Sequence, residues 1–373
     1  MKPHRILIVI PGVGIGGITT GLLGIIRYLN LSQYQIMIAA RQDGVAVRLI
    51  RKKKIRCVVM PAKNRVPFLR NIMIHEKIHL VQSCDAVAEG ALAAKQLDLP
   101  HVWHVGGKID SVFKGPSQKS LSWFRSIMIS LSDQIVVPSR SLARDVFADV
   151  PKRKLHVIPW GIDRQRAAGH LNFAGWLKRK LGFNKDNLLV GLVANFYPQK
   201  RHLDFLKIAS MVHKRIPRAR FVIAGQTLDH PVSIKYRRQV IKVIRQLKLA
   251  NIVKITQFSE EDGSKFFPDL DLILIPSYEG MSQAMLEAGI NGIPIVAVNI
   301  GAVAEVIQNH RIGFLTPFGN HKKMARAAVE ILNHKNLSIR LGKNFHREIL
   351  TEFAAAEQAK KFSRFYRHLL EPQ

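Results

Sequence analysis

Residues 276–305 read PSYEGMSQAMLEAGINGIPIVAVNIGAVAE. Ahead of it runs DLILI, residues 271–275, an apolar and β-branched run of the kind that forms a buried strand. Pro276, Ser277 and Gly280 break that strand. Gln283–Ala288 are good helix formers, and Gly289, Gly292 and Pro294 are expected to end the helix. IVAV, residues 295–298, follows as a second short strand. The unit is therefore strand, loop, helix, strand, with two acids, Glu279 and Glu287, eight residues apart. Glu279 falls in the loop at the carboxyl end of the first strand, where an open α/β sheet binds ligands. Glu287 falls on the helix, whose N-terminal N–H groups suit an anion such as a diphosphate. Taken alone, the two acids read first as structural, one capping the helix and the other on a solvated face. Residues elsewhere in the chain change that reading.

Upstream, LLVGLVA, residues 188–194, begins a βα series. The loop NFYPQKR, 195–201, follows it, then the amphipathic helix HLDFLKIASMVHKRI and the strand RFVIAG, which ends at Gly225. A very basic helix over Ser233–Leu249 and the strand NIVKITQF come next. Ser259 and Asp262 have the spacing of a capping box for a short helix to Phe267. Downstream lie RIGFLTP, a helix over Lys322–Leu332 and two terminal helices, Leu337–Leu350 and Ala354–Leu370. The last carries Phe362, Phe365, Tyr366 and Leu369 at helical spacing, so it packs on a core.

The first half has the same rhythm. ILIVI, residues 6–10, is a strand. Gly12–Gly17 form a loop, and Thr19 or Thr20 can cap a helix to about Leu29. YQIMIAA, CVVM, HLVQSC, PHVWHV, QIVVPS and KLHVIPWGID read as further strands with helices between them, as a parallel sheet requires. His104 falls at the carboxyl end of its strand, beside Gly106 and Gly107, where a site role and a structural one are both open. At 373 residues the chain is longer than one core usually supports. Two domains are expected, 1–165 plus about 355–373, and 166–354, with the basic segment from Arg164 to Lys180 as the linker.

The net charge of +31 is extreme. Residues 1–165 hold 25 Lys and Arg against 10 Asp and Glu, so the excess is spread over both halves and is not a tail. It points to an anionic partner, whether nucleic acid, an anionic membrane or phosphorylated substrates, or else to a general basic bias. Lys63–Arg70 (KNRVPFLR) and Lys114–Ser132 interleave cations with apolar side chains, a composition that suits a membrane interface or a solvated loop and core helix. Ile6–Ile26 is uncharged and long enough to span a bilayer. Its proline and six glycines instead favour a strand, a loop and a helix start. The two cysteines, Cys57 and Cys84, match no metal or redox spacing and read as buried thiols in a reducing compartment. Asp269-Leu270-Asp271 has the D-x-D form of metal-dependent transferases, but it abuts the buried strand and reads as a helix–strand junction.

Gly12, Gly14 and Gly17 fit G-x-G-x-x-G between strand and helix, the dinucleotide-binding fingerprint. The acid that should end strand two is missing. Arg41 stands there, a residue that could suit a 2′-phosphate.

Taken together, these motifs resemble the retaining glycosyltransferases of family 4. SYEGMSQAMLEAGINGIPIVA is similar to that family's E-x7-E signature, with Glu279 and Glu287 as its acids. Gly16 and Gly17 match the first-loop glycine pair, IPWGID the motif before the linker with Trp160 where Asn is usual, and FVIAG the strand before the donor cleft. Gly301 and Glu305 match the turn after the signature. The resemblance implies an α/β GT-B fold, two Rossmann-like domains with parallel sheets facing a central cleft. It implies that the second domain holds a nucleotide-sugar: Glu287 accepts from the ribose hydroxyls, Glu279 contacts the transferred sugar, and the backbone N–H groups of Met281, Ser282 and Gln283 meet the diphosphate. Lys200 matches the phosphate lysine, His104 the first-domain histidine near the sugar, and Gly225 lines the donor side. The family usually has Arg where Asn195 stands, and Arg201 could substitute. Gln257 replaces a common glycine near the base pocket.

The expected function is transfer of a sugar from a nucleotide-sugar to a lipid-linked or cell-envelope glycan, with retained configuration. No metal and no other cofactor is expected. The expected location is cytoplasmic, at the inner face of an anionic membrane. Two alternatives stay open, an NAD(P)-dependent oxidoreductase using the Gly12–Gly17 loop and a basic nucleic-acid-binding protein, although the chain lacks a basic arm or recognition motif.

Overall fold

The structure, a computed structural model, describes residues 3–12, 17–107, 118–163, 173–228, 230–257, 265–279, 281–307 and 311–371. The chain divides into two compact units, Met1–Gly161 with Ala355–Gln373, and Ile162–Ala354.

The first unit contains β1 (His4–Ile10), α1 (Gly17–Tyr28), β2 (Tyr34–Ala40), α2 (Val45–Lys52), β3 (Arg56–Val59), α3 (Arg65–His75), β4 (Leu80–Cys84), α4 (Glu89–Lys95), β5 (His101–His104), α5 (Gln118–Leu131), β6 (Gln134–Val137), α6 (Arg140–Phe147) and β7 (Leu155–Val157). The strands form one parallel sheet in the order β3-β2-β1-β4-β5-β6-β7. Central β1 is buried on both faces: Ile6, Leu7, Ile8 and Val9 have no exposed surface. Such continuous apolar runs are what a parallel sheet covered by helices on both sides selects. The apparent membrane stretch Ile6–Ile26 is thus split between β1 and α1, and among the described residues no helix is long and apolar enough to cross a membrane. Helix α1 begins at Gly17, so Thr19 and Thr20, the two expected caps, both lie inside it, and Thr19 is buried.

The second unit contains α7 (Trp176–Lys180), β8 (Leu188–Val193), α8 (His202–Arg215), β9 (Ala219–Ala224), α9 (Pro231–Gln246), β10 (Val253–Thr256), β11 (Leu272–Ile275), α10 (Gln283–Ile290), β12 (Ile295–Val298), α11 (Gly301–Val306), β13 (Gly313–Thr316), α12 (His321–Asn333) and α13 (Lys335–Glu352). Its sheet is parallel, in the order β10-β9-β8-β11-β12-β13. The final helix, α14 (Ala355–Leu370), belongs to the first unit and packs on α1. Its Phe362, Phe365 and Tyr366 are buried, and the Tyr34 hydroxyl donates to the Ser363 carbonyl at 2.8 Å.

Two sequence expectations change here. Gly289 does not end α10; it lies inside the helix, where a Cβ would sit 2.4 Å from the Ile349 side chain of α13. Close helix packing, and not termination, requires the glycine. The turn falls at Gly292, in the left-handed region at φ +66°. In KNRVPFLR, Leu69 is buried, and Val66 and Phe68 pack against the core cluster of Val9, Met37 and Met73, so these apolar groups face inward. In α5, Met128 is buried and Phe124 meets Trp103 edge-on at 6.2 Å, which leaves Trp123 outward, 69% exposed. The Ser259–Asp262 capping box lies outside the described residues.

Candidate active site

In each sheet the order of strands reverses direction once, and the crevice at that point is where such sheets bind ligands. In the second unit the reversal lies between β8 and β11. The loops leaving these two strands carry Lys200 and Glu279.

After β8 the chain passes through Asn195 and a short 3-10 turn, Pro198–Lys200, to Arg201, which is left-handed at φ 58° and opens α8. That turn sends the Lys200 side chain to Glu279, with Nζ 2.6 Å from Oε2. The other carboxylate oxygen, Oε1, accepts from the Ser277 hydroxyl at 2.7 Å. The backbone of Glu279 is fixed as well: its carbonyl accepts from the Ala302 N–H at 2.9 Å. This contact requires Gly301, which has φ +69°; a Cβ there would lie 2.6 Å from the Glu279 oxygen. Glu279 is 9% exposed. A carboxylate so shielded needs its partners, because burying an unpaired charge is costly. The result is a fixed carboxylate beside an ammonium at the carboxyl edge of the sheet.

Helix α10 starts just beyond. Ser282 caps it, its hydroxyl accepting from the Met285 N–H at 3.2 Å. Met281 and Ser282 are buried. Gln283 and Glu287 stand one turn apart and share a face. Both polar atoms of the Gln283 amide are buried without a hydrogen-bond partner among the described residues. Natural proteins rarely leave such groups unpaired, so the orphaned amide marks a place where a ligand group or water is accommodated. Glu287 is half-buried.

Other expected donor residues are placed differently. The Asn195 side-chain oxygen accepts from the Gln226 N–H at 3.0 Å and so braces the β8 exit loop against the β9 exit loop. Gly225 permits that approach: a Cβ would lie 1.9 Å from the Ala194 carbonyl oxygen. Arg201 does not join Lys200 and Glu279. Its Nε lies 2.5 Å from Asp204 Oδ2 and its guanidinium sits 5.0 Å over the Phe318 ring. On its other side His321 Nε2 lies 3.1 Å from Asp204 Oδ1. Gly16 lies outside the described residues, and of Gly17 only its place as the first residue of α1 is described.

The D-x-D acids are occupied by backbone. Asp269 Oδ2 accepts from the N–H groups of Leu177 at 2.7 Å and Lys178 at 3.1 Å, and Oδ1 from Gly175, capping α7. Asp271 accepts from Leu189 N–H at 2.7 Å. Among the described residues no group of three or more His, Cys, Asp or Glu side chains could hold a metal ion.

In the first unit, His104 ends β5 and is 1% exposed. Its ring stacks on Trp160 at 4.3 Å and meets Phe362 at 5.4 Å. Nδ1 lies 3.1 Å from the Gln82 amide nitrogen, and Gln82 in turn accepts from the Tyr366 hydroxyl at 2.8 Å. Nε2 is buried with no partner among the described residues. Burial pushes the imidazole pKa down to about 3, so the ring is neutral at working pH. A neutral ring with Nδ1 occupied can orient a hydroxyl through Nε2; it is too weak a base to carry a proton away. The stack explains why an indole stands at 160.

The sequence reading missed Ser277 as the holder of Glu279. Ser277 stands only two residues before the acid, and the loop brings its hydroxyl to the carboxylate. It also missed the Arg41, Arg65 and Glu89 cluster, whose members meet only through the strand order.

Two family models match the chain: Glyco_transf_4, Glycosyltransferase Family 4, over residues 15–166, and Glycos_transf_1, Glycosyl transferases group 1, over residues 176–347. The chain is 22% identical over 293 residues to the UDP-Gal:alpha-D-GlcNAc-diphosphoundecaprenol alpha-1,3-galactosyltransferase of Escherichia coli, covering 74% of this chain and 71% of that protein. It resembles a glycosyltransferase crystal structure from Rickettsia africae at TM-score 0.83 and 17% identity, over 100% of both chains. It also resembles HepE of Anabaena in complex with UDP and glucose, at TM-score 0.84 and 18% identity, over 97% of this chain and 99% of that one. With two parallel Rossmann-like sheets and both halves matched by glycosyltransferase models, the chain belongs to glycosyltransferase family 4 and has the GT-B fold.

Proposed function

We propose that this glycosyltransferase moves a sugar from a nucleotide-sugar to a lipid-linked or cell-envelope glycan, with retention of configuration and without a metal. The observation that carries the donor assignment is the Lys200–Glu279 pair at the switch point of the second sheet. Lys200 neutralises the leaving diphosphate as the glycosidic bond breaks, the part a divalent cation plays elsewhere. The N–H groups of Met281, Ser282 and Gln283 add the positive end of α10. Glu287 accepts from the ribose hydroxyls, Glu279 from the sugar, and the orphaned Gln283 amide finds its partner on the donor. The first unit takes the acceptor, with His104 Nε2 directing a hydroxyl. HepE, whose structure holds UDP and glucose, and the E. coli galactosyltransferase, named for a diphosphoundecaprenol acceptor, support a UDP-sugar and a lipid-linked glycan. The excess charge of +31 and the outward Trp123 suit a cytoplasmic enzyme docked on anionic lipid.

The test is a screen of nucleotide-sugars for thermal stabilisation and turnover, followed by NMR of the product's anomeric configuration. A UDP-sugar should stabilise the protein, Glu287→Ala should abolish that stabilisation while the fold is kept, and EDTA should leave turnover unchanged. An inverted product would refute retention, and unchanged nucleotide affinity in Glu287→Ala would refute the donor site.

A further inference from the structure

The first sheet has its own switch point, between β1 and β4. What stands there is a cluster of two guanidinium groups on one carboxylate. Arg41 directly follows β2, and its backbone N–H bonds the Ile10 carbonyl of β1. Its side chain crosses the end of β1 to the loop after β4. There one terminal nitrogen meets the Ala86 carbonyl at 3.0 Å and Glu89 Oε2 at 2.5 Å. Arg65, the first residue of α3, is anchored through Nε to the Pro61 carbonyl at 3.1 Å and reaches Glu89 Oε1 at 3.3 Å. Three segments, following β2, β3 and β4, thus converge on one carboxylate.

The cluster is pre-organised and under-neutralised. Two guanidinium charges face one carboxylate, leaving an excess of one positive charge. Both side chains remain partly open, 29% exposed for Arg41 and 26% for Arg65, while Glu89 is 16% exposed. The Arg41 Nε is buried and has no partner among the described residues. Each guanidinium carries five N–H donors in a planar fork. The contacts above use one nitrogen of Arg41 and two of Arg65. Forks held rigidly by protein on one side, with donors left over, match the geometry of a phosphoryl group, which accepts bidentate bonds. The surplus charge and the unused donors are more than is needed to tie α4 to β2.

We propose that Arg41 and Arg65, held by Glu89, bind a phosphoryl or diphosphoryl group carried by the acceptor. The first unit therefore recognises its acceptor by an anion next to the sugar and not by the sugar alone. This rests on the reading above that the first unit takes the acceptor, and it narrows the substrate class to phosphorylated or diphosphate-linked glycans. A second position occupied by cations also explains why strand two ends in Arg41 where a dinucleotide enzyme would carry an acid.

The probe is inorganic pyrophosphate, titrated calorimetrically into the full chain with the second unit saturated by UDP, so that Lys200 is already engaged. Citronellyl diphosphate and phosphatidylglycerol vesicles form two further arms. Expected is one pyrophosphate site that survives in UDP, weakened about tenfold to a hundredfold in Arg41→Gln and in Arg65→Gln. It should be unchanged in Lys200→Ala. Citronellyl diphosphate should compete for it. Phosphatidylglycerol vesicles competing equally well would overturn the assignment to an acceptor group in favour of a lipid headgroup. Pyrophosphate binding abolished by UDP, or unchanged in both arginine variants, would overturn the site itself. Arg65→Gln keeps the Arg41–Glu89 pair and serves where Arg41→Gln unfolds. Failure of UDP to bind at all would strike the donor reading, not this one.

Discussion

Two buried histidines draw stability from the first unit in mild acid. His101 lies between Ser132 Oγ at 3.0 Å and Ser83 Oγ at 2.9 Å, and His104 between Gln82, Trp160 and Phe362. Burial pushes both imidazoles from the ordinary value of 6.5 down to about 3. Above pH 6.5 neither the folded nor the unfolded chain protonates them, so they add no pH dependence. Below it the unfolded chain takes up both protons and the folded chain refuses them until about pH 3. Stability therefore falls as pH falls through that window. At pH 5 the solution is about 1.5 pH units below the unfolded-state value while the folded ring stays neutral, which converts to about 2 kcal/mol for each histidine. The two together remove about 4 kcal/mol, against a total of about 5–15 kcal/mol for a typical domain.

Urea unfolding at pH 7.5 and 5.0, followed by tryptophan emission in a Trp176→Phe background, measures this. Trp103 and Trp160 are both buried in the first unit and report its unfolding. His104→Gln changes packing at both pH values equally, so only the difference between them counts. That difference should shrink by about 2 kcal/mol in His104→Gln and again in the double variant with His101→Gln. A pH-dependent loss of the same size in all three proteins would refute the linkage.

Other consequences follow from single contacts. Gly301→Ala places a Cβ 2.6 Å from the Glu279 carbonyl at φ +69°, so turnover should fall about a hundredfold through displacement of that acid, with a stability loss of about 1–3 kcal/mol in thermal melts. Asp269→Ala strips three N–H groups of their acceptor and should destabilise the second unit by about 2–4 kcal/mol; unchanged turnover per folded molecule would mark it as structural and not metal-binding.

Much of the fold was readable because parallel strands are continuous apolar runs. ILIVI and DLILI announce themselves. The acid pair was readable for the same reason, since its register is set by the strand it leaves. What escaped was everything decided by strand order. Arg41 and Glu89 are separated by 48 positions, and only the order β2-β1-β4 brings them together. Gly289 was misread because a glycine inside a helix and one ending it look alike until the partner helix is placed. Arg201 looked like a spare phosphate cation because the sequence shows the charge but not Asp204 and Phe318, which hold it.

The Lys200–Glu279 contact bears on how the proposed reaction begins. At 2.6 Å the ammonium and the carboxylate neutralise each other, so the pair by itself offers an incoming diphosphate little net charge. Lys200 must exchange one oxygen partner for another. The exchange is feasible because the Lys200 side chain is 30% exposed, where the pair is partly screened by water, whereas Glu279 at 11% cannot follow it. Glu279 is retained by Ser277 and by the Gly301 turn. Diphosphate binding therefore takes the cation off an acid that stays in place, and the freed oxygen, Oε2, is left beside the leaving bond with a partner to find. In the proposed reaction a sugar hydroxyl supplies that partner. On this account donor affinity and the positioning of the sugar are coupled through one lysine. Lys200→Ala should weaken nucleotide-sugar binding less than it lowers turnover, because it removes both the diphosphate contact and the competitor for Glu279. A variant that lost binding and turnover in equal measure would show that the exchange does not occur.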